Sequence, residues 1–313
     1  MKKIEFIEYH SKDNQKWDEI VKLSNSYSFL HERNYMEYHK NRFQDLSFFV
    51  KIQNELVGVI PGTILKNDYS SHSGLTFGGL IIKPNKSSQN YEIMENFIMH
   101  LNNSGVKNIR ISRMPDMYKD SIDDGDMYAL IKNGFKIGRF SLSQVINLKN
   151  GYKLPSHKQR GANKAKRDGL RISICDDSRQ VLALAEFNTK RKYGAQITHS
   201  YSEMNSLISK FPKNIKCYEV HDSAEMVCGA ILYKSKNVNH LQYLASSGRG
   251  RKLRGQDYLM EYLLELTLKE EKYFSFGSST ESHGLKLNEN LMKAKEEYGA
   301  YSVVTLEFEK NSK

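Results

Sequence analysis

Residues 239–248 read NHLQYLASSG and residues 249–273 read RGRKLRGQDYLMEYLLELTLKEEKY. They are followed by FSFGSSTESHG at 274–284 and LKLNENLMKAKEEYGAY at 285–301. The order predicted is apolar strand, Gly- and Arg-rich loop, amphipathic helix, strand, helix and a Gly-terminated turn. Leu259, Tyr262, Leu263 and Leu266 recur at i, i+3, i+4 and i+7, so they share one helical face. The loop before that helix carries Arg249, Gly250, Arg251, Arg254 and Gly255. Backbone N–H groups at a helix start, with arginines beside them, suit a phosphate. The competing reading of the same five residues is a solvated basic loop.

Shifting the sequence by 165 positions extends the pattern. Met94, Phe97, Ile98 and Leu101 fall on the four residues of that helical face, Ile109 and Ile111 fall on Phe274 and Phe276, and Gly134-Phe135 falls on Gly299-Ala300, without a gap. Leu148 falls on Lys313, and Glu55-Leu-Val-Gly matches Glu225-Met-Val-Cys-Gly after a small length change. Helix face, strand phase and endpoint agree, which predicts two copies of one unit. The fold class expected is α/β (mixed α+β), as two tandem domains over 1–150 and 151–313. Each is expected to be a central twisted mixed sheet flanked by helices.

Composition sets the outer bounds. The chain of 313 residues is 39% hydrophobic, enough for two cores, and carries 47 Lys+Arg against 36 Asp+Glu, a formal net charge of +11. This excess favours polyanionic partners: nucleotides, nucleic acid or anionic headgroups. No apolar run is long enough to span a bilayer, and the first residues lack the apolar stretch of a signal peptide. The expectation is a cytoplasmic chain without stable membrane insertion, perhipheral association with the inner membrane face being compatible with its charge. Cys175, Cys217 and Cys228 are too few and too scattered for a disulfide framework or a zinc site, which fits a reducing compartment. No metal is expected.

Along the chain, 31–45 is dense in polar and aromatic residues and poor in core spacing. His31, Arg33, Tyr35, His39, Arg42 and Asp45 are expected to face a cleft and hold hydroxylated or anionic groups, or else to form an exposed helix. Residues 71–82, SHSGLTFGGLII, read as a buried strand entered through a polar corner, with His72 as a further candidate. The connector 149–166 carries Arg160 and Lys164 among six closely spaced cations, suited to phosphates or RNA, or to a solvated basic helix. Ser200 and Glu203 fit a capping box at the start of a helix.

The segments FLHERNYMEYHKNRFQDLSF, SHSGLTFGGL, NHLQYLASS and FSFGSSTESHGLKLNENLMKAKEEYGA together resemble the FemAB-like branch of the GNAT acyltransferase superfamily, the type associated with surface polysaccharides. The likeness covers nearly the whole chain. It implies two GNAT-like domains and transfer of an acyl group to an amine. One departure stands out: the family's loop reads Gln/Arg-x-x-Gly-x-Gly/Ala, whereas here Leu253 takes the central glycine position.

The resemblance implies acyl-CoA, acetyl-CoA above all, as donor, held by Arg249, Gly250, Arg251, Arg254 and Gly255. The acceptor expected is an amino sugar on a nucleotide or lipid carrier, held by the 31–45 residues, His72, Arg160, Lys164 and Lys295. Such transfer needs a neutral amine, a polarised carbonyl and a protonated leaving group. Candidates for this work are His240 and Tyr243 on the strand that splays beside the donor, and Glu281 and His283 in the loop after the next strand. Strict alternation puts His240 and Gln242 on one face and Tyr243 on the other. Two alternatives stand beside this reading. One is an aminoacyl-tRNA-dependent peptidyltransferase of Fem type on a cell-wall precursor. The other is a noncatalytic RNA- or glycan-binding protein on a degenerate scaffold of this kind.

Overall fold

A computed structural model describes residues 3–270 and 272–311. The chain divides into two compact units. The first comprises residues 1–141, 282–285 and 304–313; the second comprises 142–281 and 286–303.

In the first unit, strand β1 (Ile4–Glu8) pairs antiparallel with β2 (Phe48–Ile52). β2 pairs with β3 (Glu55–Ile60) through the turn at Gln53-Asn54, and two residues further along, β6 (Ile81–Ile82), close this sheet. A second ladder joins β4 (Thr63–Leu65) to β5 (Asp68–Ser70), and β5 runs parallel to β7 (Asn108–Ser112). Helix α1 (Asn14–Leu23) buries Trp17, Ile20 and Val21, and α2 (Ser87–Asn103) buries Ile93, Met94, Phe97, Ile98 and Leu101. These α2 residues close the core with Phe48, Val50, Ile109 and Ile111. Helix α3 (Gly125–Lys132) follows.

In the second unit the strand order is β9 (Arg171–Cys175), β10 (Ile215–Asp222), β11 (Glu225–Lys234), β12 (Val238–Ser246), β13 (Tyr273–Ser278) and the second half of β8 (Lys136–Asn147). All pairs are antiparallel except β12 with β13. The helices are α4 (Ser156–Arg167), α5 (Arg179–Tyr193), α6 (Tyr201–Lys210), α7 (Gly248–Lys252), α8 (Gly255–Lys269) and α9 (Glu289–Glu296). Leu259, Met260, Leu263 and Leu264 of α8 pack on Leu232, Leu241, Phe274 and Phe276, all buried. The capping box at Ser200 and Glu203 is formed.

The 165-residue shift survives as structure. It carries α2 onto α8, β7 onto β13, α3 onto α9 and β8 onto the last strand, β14 (Tyr301–Asn311). Gly134 and Gly299 both close helices at positive φ, 81° and 84°, where a Cβ would be strained. The hairpins β2–β3 and β10–β11 even share a bulge, after Val50 in one and after Val220 in the other. Each unit takes its final strand from the other copy. Residues 307–311 of β14 pair with β7 in the first unit, and 143–147 of β8 pair with β13 in the second.

Two local expectations change. Of 71–82 only Ile81–Ile82 is a strand. His72 and Gly79 sit at φ of 64° and 85°, which breaks an extended run. The Gly/Arg stretch is not an open loop: 248–252 form the short helix α7, capped by Ser247. Arg254, in left-handed conformation at φ 60°, turns the chain into α8.

Candidate functional site

The site of the second unit is built where β12 leaves β13. Their parallel pairing covers only Val238, Asn239 and His240, opposite Tyr273, Phe274 and Ser275. Beyond His240 β12 has no register with β13, so from Leu241 onward its backbone is not paired to that strand. Towards β11, His240 pairs with Tyr233, Leu241 with Leu232 and Tyr243 with Ile231, while Gln242 has no partner. This is a bulge, in which one extra residue leaves the ladder. It also re-aims the side chains. Tyr233 and Ile231 share a face, so their partners His240 and Tyr243 share one too; the alternation that separated them fails at Gln242.

The exposed ends of the parted strands are satisfied by side chains. Lys295 of α9, buried, donates from Nζ to Gly277 O at 2.9 Å and Ser278 O at 2.8 Å. Burial lowers its pKa to about 8. His240 shares a 3.1 Å hydrogen bond between Nδ1 and Ser275 Oγ. Burial, with Lys295 adding a smaller effect, lowers its pKa to about 4, so the imidazole is neutral at pH 7. Tyr243 Oη accepts the backbone N–H of His199 at 3.2 Å and lies 2.8 Å from His199 Nδ1. Burial raises the Tyr243 pKa despite these donors, which keeps the phenol protonated.

Beside this stretch lies a cleft of about 450 Å³, lined by Asn188, Arg191, Lys192, Leu244, Ser246, Arg251 and Gln256. Arg191 and Lys192 come from the last turn of α5, Arg251 from α7 and Gln256 from the first turn of α8. Arg251 is held by its Nη1, which donates to Ser246 O at 2.7 Å; Asn188 Nδ2 donates to the same carbonyl at 3.1 Å. Arg191 and Lys192, which offset the negative end of α5, together with Arg251 and the N-terminal turn of α8, make a place for an anion. Of the five residues the sequence offered for the donor, Arg251 alone lines this cleft. Arg249 is paired with Asp222. Arg254 lies 3.6 Å from Asp257. Gly250 is packed so closely that a Cβ there would sit 2.2 Å from Val227 O, and Gly255 packs against Leu170 and Cys228. Arg191 and Lys192 escaped sequence reasoning because only the tertiary fold brings α5 beside β12; the run Lys190-Arg191-Lys192 was their single sequence signal.

The remaining candidates are scattered. Glu281 pairs in a two-residue hairpin with Lys286. Its carboxylate is held below the usual range by hydrogen bonds from Lys286 and Asn288, which makes it a weak base. His283 is exposed, at φ 58°. Arg160 and Lys164 are exposed on α4, where Lys164 Nζ reaches Lys252 O at 3.5 Å. That helix is not wholly solvated: Lys158, Gly161, Ala162 and Ala165 are buried, and Lys158 meets Glu297 at 2.6 Å.

In the first unit the 31–45 segment is packed more than it is open. His31 is fully buried; its Nε2 lies 3.0 Å from Phe77 O, and burial lowers its pKa to about 4. Arg33, 1% exposed, places its guanidinium 3.2 Å from the Tyr9 ring centre and 3.9 Å from that of Trp17. Its Nη1 donates to Asp45 at 2.6 Å. Tyr35 is buried edge-on against Phe29. His39 ends a 3-10 turn, Arg42 and Asp45 are exposed, and His72 is buried. The expectation that these side chains line a cleft is thus corrected for His31, Arg33 and Tyr35, which belong to the core.

Among the described residues no group of three or more His, Cys, Asp or Glu could hold a metal ion, and no helix is long and apolar enough to cross a membrane.

No protein-family model matches the chain, and no curated protein does. Solved structures do match over nearly its whole length. FemX is 12% identical, with 97% of each chain covered and a TM-score of 0.68. L-PGS from Bacillus licheniformis is 12% identical, over 96% of this chain and 92% of that one, with a TM-score of 0.60. A tandem GNAT protein from the clavulanic acid biosynthesis pathway is 11% identical, over 99% and 98%, with a TM-score of 0.51. The chain therefore shares its fold, mixed sheets flanked by helices, with FemX and with that tandem GNAT protein.

Proposed function

We propose that this chain is an acyltransferase that moves an acyl or aminoacyl group from a phosphate-bearing carrier to an amine. The observation that carries the reading is the parting of β12 from β13 beside a cleft with Arg191, Lys192 and Arg251. A strand edge not paired to its neighbour can hydrogen-bond an extended, amide-containing arm, and the cations suit its phosphates. The backbone at the Gln242 bulge, free of the ladder, can polarise a carbonyl. Tyr243, protonated and held by His199, can give a proton to the leaving group, while His240, its pKa lowered to about 4, is too weak a base to take the amine's proton and serves as a neutral hydrogen-bonding partner.

In the first reading the donor is acyl-CoA, acetyl-CoA above all, and the acceptor an amino sugar on a nucleotide or lipid carrier. In the second, which the likeness to FemX over 97% of both chains favours, the donor is aminoacyl-tRNA and the acceptor a cell-wall precursor. Incubating the chain with acetyl-CoA or with charged tRNA, each against amino sugars and peptidoglycan precursors, separates them. A new amide found by mass spectrometry with one donor supports that reading. No amide with either donor would leave the transferase assignment without support.

A further inference from the structure

We propose that Cys175 and Cys217 form a modification site: a dithiol that a small-molecule disulfide converts into a reversible cross-strand disulfide. The two residues are direct partners in the antiparallel β9–β10 ladder. Opposed residues in such a ladder have Cα atoms about 4.5 or 5.5 Å apart, inside the span of about 4.4–6.8 Å that a disulfide bridges. Both sulfurs turn the same way, since Cys175 Sγ donates to Asp177 O at 3.3 Å and Cys217 Sγ lies 3.9 Å from the same carbonyl. Both are free thiols.

Their surroundings assign the order of attack. β9 is the edge strand, and Cys175 is partly exposed on it, whereas Cys217 is buried. A hydrogen bond with Cys175 and then burial push the Cys217 thiol far up, so it is not the first nucleophile. The Cys175 thiolate attacks one sulfur of oxidised glutathione, whose S–S bond breaks and releases one glutathione thiolate. Cys217, losing its proton as it reacts, attacks Cys175 Sγ in the mixed disulfide. The Cys175–Cys217 bond forms and the second glutathione thiolate leaves. Two electrons pass to glutathione, and the two protons of the protein thiols end on its two thiolates. The bridge closes the segment 176–216, whose helix α5 carries Asn188, Arg191 and Lys192. Cys228, fully buried on β11 with its thiol pushed up to about 12 by burial, takes no part.

The test equilibrates the full-length chain with mixtures of reduced and oxidised glutathione, quenches with an alkylating agent and maps the peptides. The result expected is a peptide pair joined through Cys175 and Cys217, an intact mass lower by two hydrogens, full reversal by dithiothreitol, and Cys228 never glutathionylated. Cys175→Ser should remove the cross-link, and Cys217→Ala should stop at glutathione on Cys175. Should Cys217→Ala not fold, the wild-type peptide map alone decides. Glutathione on wild-type Cys175 without a cross-link, or two thiols alkylated across the whole range, overturns the proposal.

Discussion

Replacing Arg33 separates a core role from a substrate-binding one. Its guanidinium is 1% exposed, lies over the faces of both Tyr9 and Trp17, whose rings meet edge to face, and is bonded to Asp45. A desolvated cation–π contact is worth about 2 kcal/mol, and removing one partner of a buried ion pair costs about 3–5 kcal/mol. Asp45, with 37% of its side chain exposed, can rehydrate when the arginine is gone, which holds the loss near the lower end. Arg33→Ala is therefore expected to destabilise the first unit by about 3 kcal/mol. Arg33→Met keeps most of the volume without a charge to desolvate, and is expected to cost about 1.5 kcal/mol. Trp17 is the only tryptophan of the chain and touches Arg33, so its fluorescence in urea follows this unit. With a slope of about 1–3 kcal/mol per molar urea, the Arg33→Ala midpoint should fall by roughly 1–3 M. An unchanged midpoint with lost turnover would refute the core role and return Arg33 to substrate binding.

Three further outcomes follow from the second unit. The folded pKa of Lys295, about 8, lies below its ordinary value of 10.5, so the unfolded chain binds more protons between those values and stability should rise with pH across that window. The full difference is about 3 kcal/mol, and Lys295→Met should erase that rise in thermal midpoints measured from pH 7 to 10.5; a parallel rise in the variant would contradict the assignment. Tyr243→Phe should lower kcat by about 10²-fold or more if the phenol protonates the leaving group, with donor KM unchanged in steady-state kinetics, whereas unaltered kcat would remove it from the chemistry. Gly250→Ala forces a Cβ to within 2.2 Å of Val227 O and should cost about 1–3 kcal/mol in calorimetry, with no loss arguing that α7 can shift freely.

Much of the fold was legible because it rests on local periodicity. The α8 face, the capping box at Ser200 and the gapless shift all use spacings that single segments carry by themselves. The exchange of last strands was not legible, since β8 and β14 have equivalent patterns and either fits either sheet. The site was harder for the same kind of reason. Strict alternation misplaced Tyr243, because a bulge at Gln242 is decided by pairing with Ile231 and Leu232 and not by the strand's own residues. Arg33 read as a ligand because charged side chains are seldom fully buried; only the tertiary fold supplies Tyr9, Trp17 and Asp45 around it. Arg191 and Lys192 lie about sixty residues before Arg251, and no local pattern ties them together. Cys175 and Cys217 looked scattered until the β9–β10 register set them opposite each other.

The central claim is that a phosphate-bearing donor binds at the end of β12 that parts from β13. Calorimetric titration of acetyl-CoA and of a nonhydrolysable aminoacyl-tRNA analogue, into wild type and into the Arg191→Glu, Arg251→Glu double variant, tests it most directly. Each charge-assisted contact is worth about 1.5–3 kcal/mol, so one donor should bind the wild type saturably and the folded variant at least about 100-fold more weakly. Equal affinity of both proteins for the donor, or no binding of either donor to wild type, would contradict the account.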